Sequence, residues 1–258
     1  MTYGPQPISH QERRQNALHI AAQLQRHYGS HLLALGVYGS LAREKDGPYS
    51  DIEMHCIVDG AGIDTSFEWS AGPWKAEVDV YSPEVILAAA AQVDGDWPIT
   101  HGQFTRVWVL HDPTGLFPQL HAAATGQPES AFREAMCEVI VGEIYELVGK
   151  VRNAQNRQDF SSLPLYTLYT ARHAACLSGL FHRHLYSSSS ALFTEALALS
   201  DPPAGYTALC QAALQGDLAD PGQNIELVEA YWQGVAAWAE QHGLATETTL
   251  ASMLAGQS

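Results

Sequence analysis

At Pro128 the hydrophobic period of the chain changes, and no other feature of its 258 residues restricts the fold as tightly. Before that point, short apolar runs alternate with Gly-, Pro- and Asp-containing turns, as buried strands do. After it, apolar positions recur every three or four residues and no strand-like run returns. The pattern predicts an α+β half over residues 1–127 and an all-helical half over residues 128–258.

Local signals place the elements. Ser9 and Glu12 have capping-box spacing and open a helix that runs to Tyr28. His31 to Tyr38 is a strand running into Gly39-Ser40, and Ser50 to Val58 is a second strand. Phe67 to Trp69 and Trp74 to Tyr81 form a pair of strands, Ser82-Pro83-Glu84 starts a helix, and Arg106 to Leu110 is a further strand before a short helix ending near Gly126. In the second half, helices are predicted over Glu129–Arg157, Leu163–Leu185, Ala191–Leu199, Ala204–Gln215 and Asn224–His242. The six tryptophans are expected in the core.

Charge narrows the partners. Thirteen Lys and Arg oppose 28 Asp and Glu, a net charge of −15, and both halves are acidic. Duplex affinity comes mainly from cations neutralising phosphates, so a nucleic-acid partner is disfavoured, as is an anionic membrane surface. A cationic partner suits the field. Lysine is scarce, only Lys45, Lys75 and Lys150, so each one is informative. Four widely spaced cysteines read as free thiols in a reducing compartment. With neither a signal peptide nor an apolar run of about 18 residues, a cytoplasmic location is expected.

The chemistry concentrates between Gly36 and Glu53. Gly39-Ser40 after a buried strand can present a hydroxyl and backbone N–H groups to an anion. Ten residues intervene before Asp51-Ile52-Glu53, where alternation puts Asp51 and Glu53 on one face and Ile52 and Met54 on the other. In the later strand Lys75, Glu77 and Asp79 share a face. If the two strands are neighbours, Glu77 adds a third hard oxygen ligand for Mg²⁺ to Asp51 and Glu53. Taken singly, a Gly-Ser turn is only a turn and Asp-x-Glu only a solvated strand face. Their conjunction points to a nucleotidyltransferase.

The spacing resembles the DNA polymerase beta-like nucleotidyltransferase superfamily. GVYGSLAREKDGPYSDIEM, EWSAGPWKAEVDVYS, QVDGDWPITHGQF and VGEIYELVGKVRN resemble, more closely, the aminoglycoside 4′-O-nucleotidyltransferases, over about residues 5 to 243. The resemblance implies a mixed sheet with helices followed by a C-terminal helical bundle. It implies transfer of a nucleoside monophosphate, AMP from ATP, to the 4′-hydroxyl of drugs such as kanamycin and tobramycin, with release of pyrophosphate and resistance as the result. Ser40, Arg43, Ser50 and Lys150 fall at triphosphate-binding positions, Asp51, Glu53 and Glu77 at Mg²⁺ positions, and Glu146 at the general base. Glu68, Lys75, Glu77, Gln103 and Glu143 are the implied substrate contacts. A homodimer with shared active sites is implied as well.

The chain departs from that pattern in two places. Gly142-Glu143 stands where two consecutive glutamates are expected, and Asp79 adds a charge at a neutral position. Glu146 and Lys150 also have the spacing of an ordinary surface ion pair on a helix. Nearby acids are expected to raise the pKa of Glu146 toward a useful value for a base. His182 and His184 are expected to be ordinary surface or interface residues, since no third ligand is evident. Transfer to another amino-bearing small molecule or another hydroxyl is one alternative, and a non-catalytic nucleotide- or drug-binding protein on the same scaffold is another.

Overall fold

The capping box at Ser9 forms as the sequence demands. In the computed structural model, which describes residues 4–244, 246, 247, 249, 250 and 254, α1 spans His10–Tyr28. The Glu12 N–H donates to Ser9 Oγ at 3.2 Å, and the Ser9 N–H donates to the Glu12 carboxylate at 2.8 Å. Two otherwise orphaned donors of the first turn are thereby satisfied.

Five strands follow: β1 (Leu32–Tyr38), β2 (Ile52–Val58), β3 (Asp64–Ser70), β4 (Lys75–Tyr81) and β5 (Trp108–His111). They form one mixed sheet in the order β3-β4-β2-β1-β5. β1 is antiparallel to β2 and β5, β3 is antiparallel to β4, and β2 runs parallel to β4. Alternation sends Ile52, Met54, Ala76 and Val78 to one face, where they pack with Ala17, Ile20 and Ala21 of α1. Each fully buried large aliphatic side chain there contributes about 1.5–3 kcal/mol.

The opposite face changes character along β2. Ile57 joins a core with Ala34, Ile86, Phe104 and Phe117, residues drawn partly from α3 (Pro83–Ala91), α5 (Gly102–Thr105) and α6 (Leu116–Thr125). Toward the start of the strand come His55 and then Glu53. The apolar layer thus ends where the carboxylates begin.

The chain divides into two compact units, Met1–Gln92 with His101–Gln127 and Val93–Thr100 with Pro128–Ser258. The short segment 93–100 goes with the helical unit because its side chains are used there. Trp97, in α4 (Trp97–Thr100), is 2% exposed and meets the Phe132 ring edge-on at 4.9 Å between centroids. Pro98 O accepts from the Tyr186 N–H at 2.8 Å. The helical unit also contains α7 (Glu129–Glu138), α8 (Tyr145–Arg157), α9 (Leu163–His182), α10 (Leu192–Ala196), α11 (Tyr206–Gln215) and α12 (Pro221–Gln241). Ala171, Ala175 and Leu180 of α9 are fully buried among residues of α11 and α12.

Several expectations change. The stretch Glu129–Arg157 is one helical run, but Val139–Ile144 is wound as a π-helix. The first strand of the hairpin is longer than Phe67–Trp69 and exposed along its whole length, because it is an edge strand. Trp69 is therefore not a core residue; it is 36% exposed. α9 ends at His182 because Arg183 takes a left-handed conformation, φ +50°. Only Leu192–Ala196 of the Ala191–Leu199 segment is α-helical.

Truncation of Trp97 to Ala is expected to cost about 3–5 kcal/mol, since it leaves a large cavity against Phe132. Urea unfolding followed by fluorescence and circular dichroism checks this, and a loss below 1 kcal/mol would contradict the packing described.

Candidate active site

β-sheet register assembles the acids. Glu53 of β2 lies opposite Glu77 of β4, and Glu77 lies opposite Glu68 of β3, so three carboxylates stand side by side across three strands. Asp51 precedes β2 by one residue. On the other side Glu53 faces Tyr38, the last residue of β1, which leads into the four-residue helix α2 (Gly39–Ala42). Gly39 has φ +71°, and a Cβ at that position would overlap the Glu53 carboxylate. The Gly-Ser turn and the Asp-x-Glu strand are therefore one physical arrangement: the glycine leaves the space that the second carboxylate fills.

Crowding alters the electrostatics. Burial, followed by the charges of Asp51 and Glu77, pushes the Glu53 carboxyl up to about 7, against a lowering pull from the Arg43 guanidinium. Glu77 is also raised, by burial and then by Asp79 and Glu68. Lys75 partly relieves the repulsion. Its ammonium pairs with Glu68 and lies 3.8 Å from Asp51 Oδ2, and the Glu68 bond raises its own pKa. Ser50 Oγ accepts from the Gly47 N–H at 3.0 Å, which leaves its own O–H free to donate to an anion.

An aromatic layer sits beneath. The buried His55 ring stacks on Tyr38 at 4.1 Å and on Phe104 at 5.7 Å, and burial drives its pKa down to about 4. The Tyr38 hydroxyl donates to Asp79 at 2.8 Å. This bond accommodates the extra carboxylate of β4, a role the sequence does not signal. Gln103, half-buried in α5, has its backbone at the His55 ring.

The remaining residues belong to the helical unit. Glu143, Glu146, Lys150, Tyr169, Arg172 and His173 line a cleft of about 380 Å³ with Leu147. A regular α-helix would carry residue 143 into the buried stripe of Met136, Val139 and Ile140. The π-helical turn shifts the phase, so Ile144 is buried and Glu143 emerges on the same face as Glu146 and Lys150. Lys150 Nζ lies 2.7 Å from Glu146 Oε1. That bond lowers the pKa of Glu146, the reverse of the expected rise, because the near neighbour is a cation and the carboxylate is 61% exposed. His173 Nε2 lies 3.5 Å from Glu143 Oε2, and burial lowers its pKa.

His182 bonds the Ser200 carbonyl at 2.7 Å and His184 the Glu195 carboxylate at 3.2 Å. Among the described residues no three His, Cys, Asp or Glu side chains are gathered into a group that could hold a metal as they stand. Asp51, Glu53 and Glu77 nevertheless suit Mg²⁺ in kind, as hard oxygen donors on adjacent strands whose mutual repulsion a divalent cation would relieve.

The raised Glu53 pKa has a consequence for stability. A carboxyl with a folded pKa above its unfolded value of about 4.5 contributes stability below that value and loses it as pH rises through about 7. In chelator-treated buffer, wild-type protein is expected to lose up to about 3 kcal/mol relative to Glu53→Gln between pH 5 and pH 8. Parallel unfolding curves for the two proteins across that window would refute it.

A family model described as the KNTase C-terminal domain matches residues 114–245. Aminoglycoside nucleotidyltransferase (4′) from Staphylococcus aureus and the protein of the same name from Bacillus sp. are each 40% identical over 240 residues. Those alignments cover 93% of this chain and 95% of each relative. A nucleotidyltransferase-like protein from Exiguobacterium sibiricum shares the fold, with a TM-score of 0.53 at 12% identity over 89% of this chain and 75% of the other. No helix among the described residues is long and apolar enough to cross a membrane. At 40% identity over nearly the whole of both chains, the chain belongs to the aminoglycoside nucleotidyltransferase (4′) family.

Proposed function

We propose that this protein transfers AMP from ATP to the 4′-hydroxyl of aminoglycosides such as kanamycin and tobramycin, releasing pyrophosphate and inactivating the drug. The observation that carries this reading is the register of Glu53 and Glu77 beside Asp51, against a glycine that leaves room for the Glu53 carboxylate. Asp51, Glu53 and Glu77 would hold Mg²⁺, which when bound offsets charge on the triphosphate. Ser40, Ser50 and Arg43, from α2 and the segment following it, bind the phosphates. Glu68, Glu77, Gln103 and Glu143 contact the aminoglycoside, whose ammonium groups suit the three carboxylates. Lys75 spans Glu68 and Asp51 until substrate displaces it.

Glu146 acts as the base that takes the 4′-hydroxyl proton as that oxygen attacks the α-phosphorus. Its bond to Lys150 supplies the control. While the ammonium holds the carboxylate, Glu146 is a weak base. A phosphate that draws Lys150 away raises the proton affinity of Glu146 when the nucleotide is present. The carboxylate row and the Glu146 cleft belong to different units, and the proposed enzyme is a homodimer with shared active sites. Such an enzyme works in the cytoplasm, where ATP is available.

Incubation with ATP, Mg²⁺ and kanamycin is expected to give a product heavier by one adenylyl group in mass spectrometry. Modification of a 4′-deoxy analogue would overturn the regiochemistry, and the absence of product from both drugs would overturn the enzyme reading. Glu146→Gln is expected to lower kcat by about 10²–10⁴-fold with the fold intact. Near-normal turnover would remove Glu146 as the base. The net charge of −15 should also draw the polycationic drug, so its affinity is expected to fall steeply with added NaCl. Titration calorimetry at several ionic strengths measures that slope, and a flat response would contradict electrostatic steering.

A further inference from the structure

We infer that Arg13 is a positioning residue for Asp51, acting through the loop that leads into β2; the inference rests on the Mg²⁺ role proposed for Asp51. Arg13 lies on α1, far from Asp51 in sequence, and its side chain is 1% exposed. A buried guanidinium needs its donors satisfied. Here they converge on one short segment. Nε donates to Ser50 O at 2.8 Å, Nη2 to Pro48 O at 2.9 Å, and Nη1 to the Asp46 carboxylate. A longer Nη2 contact reaches Ile8 O at 3.5 Å. Asp46 is itself held by His10 Nδ1 at 2.6 Å.

The loop is thus pinned at its start, middle and end by one rigid fork. Within it, the Ser50 N–H donates to Gly47 O at 3.1 Å and the Gly47 N–H to Ser50 Oγ at 3.0 Å, closing a tight turn. Asp51 comes immediately after the pinned Ser50 carbonyl. The register of β2 with β4 begins only at Ile52, and with β1 it reaches no further than Glu53, so sheet pairing does not hold Asp51. Its backbone direction is inherited from the loop, and its carboxylate lies 3.8 Å from Lys75 Nζ. Stability alone does not account for this choice of residue, because a buried ion pair is often no better than apolar packing of the same volume. Lysine cannot substitute for it: an ammonium can keep the Asp46 charge but lacks the planar fork that reaches Ser50 and Pro48 together.

The test compares wild type, Arg13→Lys and Trp97→Ala, the last being a destabilised control in the other unit. Two readouts need no turnover: Mn²⁺ binding by calorimetry with a non-hydrolysable ATP analogue, and amide hydrogen exchange over residues 46–51. Arg13→Lys is expected to weaken Mn²⁺ binding at least tenfold and to speed exchange at Gly47 and Ser50 by a similar factor. Trp97→Ala should leave both unchanged despite its lower melting temperature. Wild-type Mn²⁺ affinity in Arg13→Lys, or equal weakening in Trp97→Ala, overturns the inference. Should Arg13→Lys fail to fold, Asp46→Asn carries the same expectations, and unchanged binding and exchange in it overturn the inference equally. Wild-type protein that binds no Mn²⁺ overturns the metal role of Asp51 instead; normal exchange over 46–51 in the variants then overturns the clamp.

Discussion

Carboxylate repulsion at one end of the sheet is the constraint around which the rest of this structure is arranged. Parallel pairing of β2 with β4 and antiparallel pairing of β4 with β3 leave Glu53, Glu77 and Glu68 shoulder to shoulder, with Asp51 beside them. Like charges at cross-strand spacing are destabilising. The protein offsets part of that cost with Lys75 and Arg43 and leaves the remainder as a raised pKa on Glu53. A site left in that condition favours a divalent cation and an ammonium-bearing ligand, the two species the proposed reaction brings together.

Holding such a cluster requires rigid support, and the sheet supplies it from both faces. Beneath α1, Ile52, Met54, Ala76 and Val78 are packed without exposure, so neither strand can slip by one residue without carrying its acids into the core. On the acidic face, the Tyr38–His55–Phe104 stack separates the carboxylates from the aliphatic layer, and the Tyr38 hydroxyl gives Asp79 a hydrogen bond. At the start of β2 two further contacts act: the Glu53 carboxylate fills the space beside Gly39, and Arg13 ties down the segment that precedes Asp51.

The helical unit meets a different demand. It presents Glu143, Glu146 and Lys150 to solvent on a helix whose neighbouring turns are buried. The π-helical turn at Val139–Ile144 does this by shifting the phase of the buried stripe. Glu146 and Lys150 then sit as an exposed pair, in which the cation suppresses the basicity of the acid.

Much is legible in residue order because it depends on local periodicity. The capping box at Ser9, the separation of Ile52 and Met54 from Glu53, and the change to helical spacing after Pro128 are properties of short segments, written in residue order. The tryptophans show where that reading stops: Trp97 and Trp69 are the same residue type, yet one is enclosed by helices and the other lies on an edge strand. Nothing in VIVGEI distinguishes the π-helical turn from an α-helical run; packing on both sides selects the phase. The pKa of Glu146 falls where a rise is expected because its main influence is the hydrogen bond from Lys150. By itself, then, the sequence determined which residue types face which side of each strand and helix, and hence the kind of chemistry available. Tertiary structure alone decided that β4 lies beside β2, that Glu53 fills the space at Gly39, and that Arg13 reaches Ser50, because long-range contacts depend on how faces pack and not on residue order.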